Sequence, residues 1–176
     1  IIGRLVGSEM CIRDSATVIG CDLKESAFQE TADLLAREGL ELHGRAPVDL
    51  GDPDQAQAWV KDAAAEFGKI DIVYNNASAA RFGPIETFSV EDWRFTLRNE
   101  LDLVFYVTHY AWPHLAKQGG VVINIASTAA WCGTKATGKV AHAATKGAVV
   151  SLTRQLAVEG AAPVSYTHLT LPTSTH

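Results

Sequence analysis

Gly120-Val-Val-Ile-Asn-Ile-Ala-Ser127 is an almost unbroken apolar run that stops at a hydroxyl. A strand of that composition is covered on both faces, the condition met in parallel sheets flanked by helices. Two other runs share its character. Ala16-Thr-Val-Ile-Gly-Cys-Asp22 ends in a carboxylate, and Ile70-Asp-Ile-Val-Tyr-Asn-Asn-Ala77 enters a loop at Asn76. A further strand lies within 40–50, and Pro47, which cannot donate to a ladder, places it at a sheet edge.

Between these runs, apolar residues recur at helical spacing. The spacing predicts a helix over 24–38 with Phe28, Thr31, Leu34 and Leu35 on one face and Gly39 as its stop. Asp52-Pro53-Asp54-Gln55 opens a second helix: Asp52 as N-cap, Pro53 in the first helical position, Gln55 closing a capping box. Its stripe is Ala56, Trp59, Val60, Ala63 and Phe67, and Gly68 ends it. Ser89 with Asp92 caps a long helix to about 115, whose buried side carries Trp93, Leu97, Leu101, Val104 and Phe105. A loop with Trp131, Gly133 and Gly138 leads to a last helix over about 140–159.

Strands alternating with helices, joined by right-handed crossovers, make a doubly wound α/β layer. Such sheets place ligands at the carboxyl ends of their strands. Here those ends carry Asp22, Asp49, Asn76 and Ser127. Any one of these alone would read as a turn or cap; the set of four is the stronger signal.

The 176 residues suit one domain, and 47% hydrophobic content is ordinary for a globular chain. A net charge of −5 without a basic run argues against nucleic acid and anionic membrane as partners. Of three cysteines, Cys11 falls in a segment read below as non-native, and Cys21 and Cys132 are isolated, with neither metal-ligand spacing nor a pairing pattern, so no metal site is expected and a reduced, cytoplasmic setting fits. No stretch reads as a signal peptide or membrane span.

The two ends read differently from the middle. Met10-Cys11-Ile12-Arg13-Asp14 can be written in codons whose reverse complement translates as Val-Ser-Tyr-Thr-His, the sequence from Val164 to His168. Both segments look like translated sequencing adapter. The expectation is therefore a native part over 16–162, an internal fragment of a longer gene, flanked by non-native segments at 1–15 and 163–176.

Three segments carry a resemblance: Ile70-Asp-Ile-Val-Tyr-Asn-Asn-Ala77, Gly120-Val-Val-Ile-Asn-Ile-Ala-Ser127 and His142-Ala-Ala-Thr-Lys-Gly-Ala148. Together they resemble the short-chain dehydrogenase/reductase family, across essentially all of 16–162. The resemblance implies a Rossmann-like sheet, here incomplete, with the family's first strand, its Gly-rich phosphate turn and its C-terminal strands absent. It implies an oxidoreductase that interconverts a small alcohol and its carbonyl by hydride transfer, in the full-length parent and not in this fragment alone. Asp22 would hold the adenosine ribose and disfavour a 2′-phosphate, which selects NAD over NADP. Asp49 and Leu50 would flank the adenine, Asn76 and Ala77 would pass under the nicotinamide ribose, and Ser127 and Lys146 would stand at the catalytic positions. The family's assembly also implies a homodimer or homotetramer, with Leu103, Phe105, Val149 and Leu152 apolar beyond the needs of one core.

Three positions depart from the family pattern. Ser78 replaces a glycine, Glu100 falls at the position of a helix asparagine, and His142 replaces the tyrosine that transfers the proton. Asn99 lies one residue from Glu100, a rotation of about 100° on a helix, so the two cannot serve one spot without a register shift. The register of Leu101, Val104 and Phe105 favours Glu100. Imidazole and carboxylate are natural partners in acid–base work, and His142 and Lys146 share a helix face at i and i+4. The alternative expectation is a catalytically impaired dinucleotide-binding or regulatory protein on the same scaffold.

Overall fold

The computed structural model describes residues 16–134 and 137–161 in full and the backbone of Tyr166–Thr170. Five strands alternate with helices: β1 (Ile19–Cys21), α1 (Glu25–Arg37), β2 (His43–Arg45), α2 (Pro53–Phe67), β3 (Ile72–Asn75), α3 (Val90–Leu97), α4 (Leu103–Gln118), β4 (Val121–Ile125), α5 (Val140–Glu159) and β5 (Tyr166–Thr170). All pairings are parallel, β1 with β2 and β3 with β4 with β5. This is the α/β Rossmann-like layer, in two pieces among the described residues. In the doubly wound order 3-2-1-4-5-6, the seam between the pieces falls at position 1.

Local chemistry accounts for most element ends. Asp52 Oδ1 accepts from the backbone N–H of Asp54 and Gln55, so α2 starts as expected, and Gly68 ends it at φ 76°. The capping box does not close. Gln55 Oε1 instead accepts from Asp49 N at 3.0 Å, tying the helix start to the chain leaving β2. Ser89 Oγ accepts from Asp92 N at the start of α3. Pro47 lies beyond β2, which has β1 as its one partner among the described residues.

Two expected apolar faces are corrected. On α1 only Leu35 is buried, and Leu34 is half exposed, because no element of the larger sheet packs over that helix among the described residues. Phe105 points outward at 50% exposure, stacked on His109, while Leu103 takes the core position beside Val104 and Val149. Phe105 lies about 100° around the helix from the buried Val104, which puts it on the side of the exposed His109.

The main core joins α2, β3, α4 and β4 through Ala56, Val60, Val73, Val107, Ala111, Leu115 and Val122. A buried polar chain runs beside it. Asn75 Nδ2 donates to Thr108 Oγ1 and Asn124 Oδ1, and Asn124 Nδ2 donates to Thr153 Oγ1, all within 3.0 Å. These bonds satisfy groups that would be costly to bury alone and fix α4, β3, β4 and α5 in one frame.

Residues 166–170, expected to lie in a non-native tail outside the fold, form β5 along β4. The sequence Tyr-Thr-His-Leu-Thr favours strands, and the open edge of β4 offers unpaired backbone groups to any such segment.

The loop after β3 is laid along the start of α5. Gly83 N donates to Gly138 O at 2.9 Å, and Gly83 pairs with Lys139 as an isolated parallel bridge. A Cβ on Gly138 would stand 1.9 Å from Gly83 O, so the two backbones meet only because Gly138 has no side chain. Gly138→Ala should therefore break the bridge and lower stability by about 1–3 kcal/mol, the cost of overpacking a tight contact. Urea unfolding of the two chains measures this.

Candidate active site

The helix from Ser89 to Gly119 is interrupted by a π turn at Arg98–Asp102. There Leu103 N donates to Arg98 O, five residues back, which accommodates one extra residue in the helix. The wide turn frees Asn99 O from the helical ladder, and it accepts from Ala79 N at 3.1 Å. Asn99 Nδ2 turns back to Phe95 O at 2.7 Å. Glu100, not Asn99, is the side chain that crosses to α5. The register shift needed to use both positions is present, and it assigns them different work.

Glu100 is 1% exposed and has donors on three sides. Ser78 Oγ donates to Oε1 at 2.8 Å, and Thr145 Oγ1 donates to Oε2 at 2.5 Å. His142 Nδ1 lies 2.8 and 3.0 Å from the two oxygens. Burial pushes the Glu100 carboxyl up, but the hydrogen bonds from His142 and Thr145 and the Lys146 charge outweigh it. They hold Glu100 below the usual carboxylate range. A carboxylate is an acceptor only, so Nδ1 carries the proton and donates. Nε2 makes no hydrogen bond among the described residues. The ring, 16% exposed, meets Phe82 edge to face at 5.6 Å between centroids.

His142, Thr145 and Lys146 lie at i, i+3 and i+4 on α5, so all three project from one face. Lys146 is buried and donates to Ile125 O at 2.9 Å, which brings its ammonium to the tip of β4, two residues before Ser127. Burial draws the Lys146 ammonium down from its ordinary value, with the Glu100 charge acting against that. Ser127 Oγ accepts from Ala129 N at 3.2 Å, opening a short 3₁₀ turn at Thr128–Ala130. No hydrogen bond joins Ser127 to His142 among the described residues. Beside them, a hollow of about 190 Å³ lies between that turn and the first turn of α5, lined by Ala129, Cys132, Lys139, Val140 and Ala143 but by neither Ser127 nor His142.

The remaining expected positions lie along the strand tips. Asp22 follows β1, half-buried, with Oδ1 accepting from Lys24 N at 2.8 Å. Asp49 is engaged: Arg98 Nη2 donates to Oδ2 at 2.7 Å, and Oδ1 accepts from Gly51 N at 2.9 Å. Leu50 packs against both apolar clusters, and Asn76 and Ala77 form the turn after β3. Arg98 reaches Asp49 across Gly51, where a Cβ would lie 2.7 Å from its Nη1. The π turn thus carries two contacts, Arg98 to the expected adenine side and Glu100 to the expected catalytic side.

The lysine tests the fit of a dinucleotide. An ammonium has three donors, and Lys146 spends one on Ile125 O among the described residues. A buried cation with two donors to spare fits ribose hydroxyls, and Asp22 at a strand tip fits the same groups. Thr145 and Phe82 were not anticipated from sequence. Thr145 could have been found from its place one turn after His142, whereas Phe82 carries no local signal.

Residues 2–167 match the family described as short chain dehydrogenase, a span that takes in part of both end segments set aside above. Meso-2,3-butanediol dehydrogenase of Serratia marcescens is 31% identical over 83% of this chain and 56% of its own length. The 3-oxoacyl-[acyl-carrier-protein] reductase of Thermotoga maritima is 30% identical over 84% of this chain and 59% of its own. A gluconate 5-dehydrogenase from Burkholderia cenocepacia, solved with NADP and tartrate, superposes with a TM-score of 0.84 at 27% identity, covering 99% of this chain and 68% of that one. The chain belongs to the short-chain dehydrogenase/reductase family of oxidoreductases, whose members use nicotinamide dinucleotides. It spans little more than half the length of these two curated relatives. No helix among the described residues is long and apolar enough to cross a membrane, and none of their His, Cys, Asp and Glu groups could hold a metal ion.

The depressed Glu100 carboxyl makes a pH prediction. A group whose folded pKa is lowered contributes stability above its unfolded value, about 4.3, and that contribution is lost as pH falls through the folded value. The chain should lose stability steeply below that range, and Glu100→Gln should flatten the slope. Glu100→Leu, which takes the acceptor from buried Thr145 and half-buried Ser78 and His142, should cost about 2–4 kcal/mol at neutral pH. Denaturant titrations across the acid range measure both.

Proposed function

We propose that the protein, in a full-length parent, is an NAD-dependent oxidoreductase that interconverts an alcohol and a carbonyl by hydride transfer. His142 serves as proton donor and acceptor in place of tyrosine. The contact between His142 Nδ1 and the buried Glu100 carboxylate carries this reading. It fixes the proton on Nδ1 and leaves Nε2 to exchange one with a substrate oxygen. Ser127 at the tip of β4 orients that oxygen, and Lys146 holds the nicotinamide ribose with its two remaining donors. Asp22 takes the adenosine ribose, and its charge disfavours a 2′-phosphate, which favours NAD over NADP. Asn76 and Ala77 line the turn under the nicotinamide ribose, and Leu50 covers the adenine. Asp49 meets the adenine amine while still paired with Arg98.

The dinucleotide, when bound, supplies the hydride acceptor or donor. In oxidation, His142 Nε2 takes the hydroxyl proton of the alcohol, and Glu100 balances the imidazolium that forms. In reduction, the same nitrogen returns the proton to the carbonyl oxygen. The 176-residue chain by itself is expected to be inactive, since its sheet forms two unjoined pieces among the described residues. The exposed ring of Phe105 on α4 supports a homodimer or homotetramer of the parent. Leu103 and Val149 do not, since they pack on each other within one chain. A cytoplasmic setting fits the free thiols of Cys21 and Cys132.

One observation favours the competing reading, a dinucleotide-binding or regulatory protein without turnover: Ser127 and His142 share no hydrogen bond among the described residues. The test uses the product of the gene read past both ends of this sequence, with NAD and a panel of alcohols. Native activity that falls at least about 100-fold in His142→Ala, with NAD affinity intact, is the expected result. No turnover by the native protein, with activity created by His142→Tyr, would establish the competing reading.

A further inference from the structure

We propose that Ser78 and Thr145 are positioning residues that set the tautomer of His142 by holding Glu100, and that Ser78, Glu100 and His142 form one interdependent unit. The three positions at which the sequence departs from the family pattern lie far apart in the chain. In space they meet on one carboxylate: Ser78 Oγ at 2.8 Å from Oε1 and His142 Nδ1 at 2.8 Å from the same atom. Thr145 supplies the third donor, on Oε2. A glycine at 78 could not donate, and an amide at 100 would carry no charge.

The dependence follows from burial. Glu100 is 1% exposed, so water cannot readily replace a lost donor. Without Ser78, Oε1 keeps only the imidazole contact, and the cost of a buried charge drives the pair to take up one proton from solvent, which favours the protonated carboxyl. A protonated carboxyl can donate. It would then give its hydrogen to Nδ1, and the imidazole proton would sit on Nε2, the nitrogen that must accept a proton from the substrate. Ser78 therefore acts on His142 through Glu100 without touching it. The consequence for chemistry rests on the function proposed above, whereas the tautomer itself does not.

The test labels the histidines of the 176-residue chain with ¹⁵N and reads ring tautomers from long-range proton–nitrogen spectra near neutral pH, where the carboxyl can still take up a proton, with His142 assigned from its absence in His142→Gln. The unsubstituted chain and Ser78→Thr, which keeps the hydroxyl, should show the proton on Nδ1. Ser78→Gly and Thr145→Val should each shift His142 to a mixture or to Nε2. If both keep the original tautomer, the proposal is overturned. Should Ser78→Gly fail to fold, Thr145→Val and Thr145→Ser make the same comparison. In the parent enzyme, Ser78→Gly should lower kcat about tenfold with KM for NAD unchanged, and Ser78→Thr should restore it. A tautomer that shifts in a protein without turnover upholds the positioning and removes the oxidoreductase reading. Turnover that depends on His142 beside a tautomer that never moves does the reverse.

Discussion

A carboxylate almost sealed from water has to be surrounded by donors or surrender its charge, and Glu100 sets that requirement on everything near it. The loop after β3 must approach so that Ser78 can reach Oε1. The first turns of α5 must lie alongside so that His142 and Thr145 can reach both oxygens. The π turn provides the extra residue that lets Glu100 face α5 while the backbone carbonyl of Asn99 anchors the loop that carries Ser78. Each of these features is unremarkable alone, and the carboxylate makes them interdependent.

The frame that permits this is built from ordinary parts. The amides of Asn75 and Asn124 tie the sheet to α4 and α5, and the apolar stripe of α2 and α4 closes over β3 and β4. α5 packs on that frame over its length, with Val149 fully buried and Thr153 bonded to Asn124, so its N-terminal turns are held at a fixed depth against the tip of β4. The position of Lys146 follows. Its ammonium donates to Ile125 O at the last residue of β4.

What the sequence disclosed tracks how local the physics is. α5 is bounded as its periodicity implies, and the Asp52 and Ser89 caps form from residues within three positions of each other. The parallel sheet is legible because continuous apolar runs have few other uses. The failures are all non-local. Gln55 has the right identity for a capping box, yet Asp49 N competes for its oxygen. Phe105 fits the apolar register, yet among the described residues it is half exposed and stacks on His109, and no local signal separates it from the buried Val104 beside it. Strand β5 depends on an open edge that only the assembled sheet presents. Within the site, Glu100 and His142 are visible as departures from a pattern, but the hydroxyl of Thr145 gains meaning only once a carboxylate from another helix lies 2.5 Å away.

Replacing a phenol by an imidazole changes more than the size of the group. A phenol offers one oxygen to both the substrate and the proton path, so it needs only a nearby cation to set its charge. An imidazole has two nitrogens, and in the role proposed for His142 a proton on the wrong one would disable it. A histidine at this position therefore creates a need that tyrosine does not have, a fixed acceptor behind the ring. A neutral amide at position 100 could turn its NH₂ toward Nδ1 and stabilise the wrong tautomer; a carboxylate cannot, because it has no hydrogen to give. Burying that carboxylate then calls for further donors, which Ser78 and Thr145 supply. Ser78 from the loop after β3 and His142 and Thr145 from α5 converge on the two oxygens of Glu100, the arrangement that the function proposed above calls for.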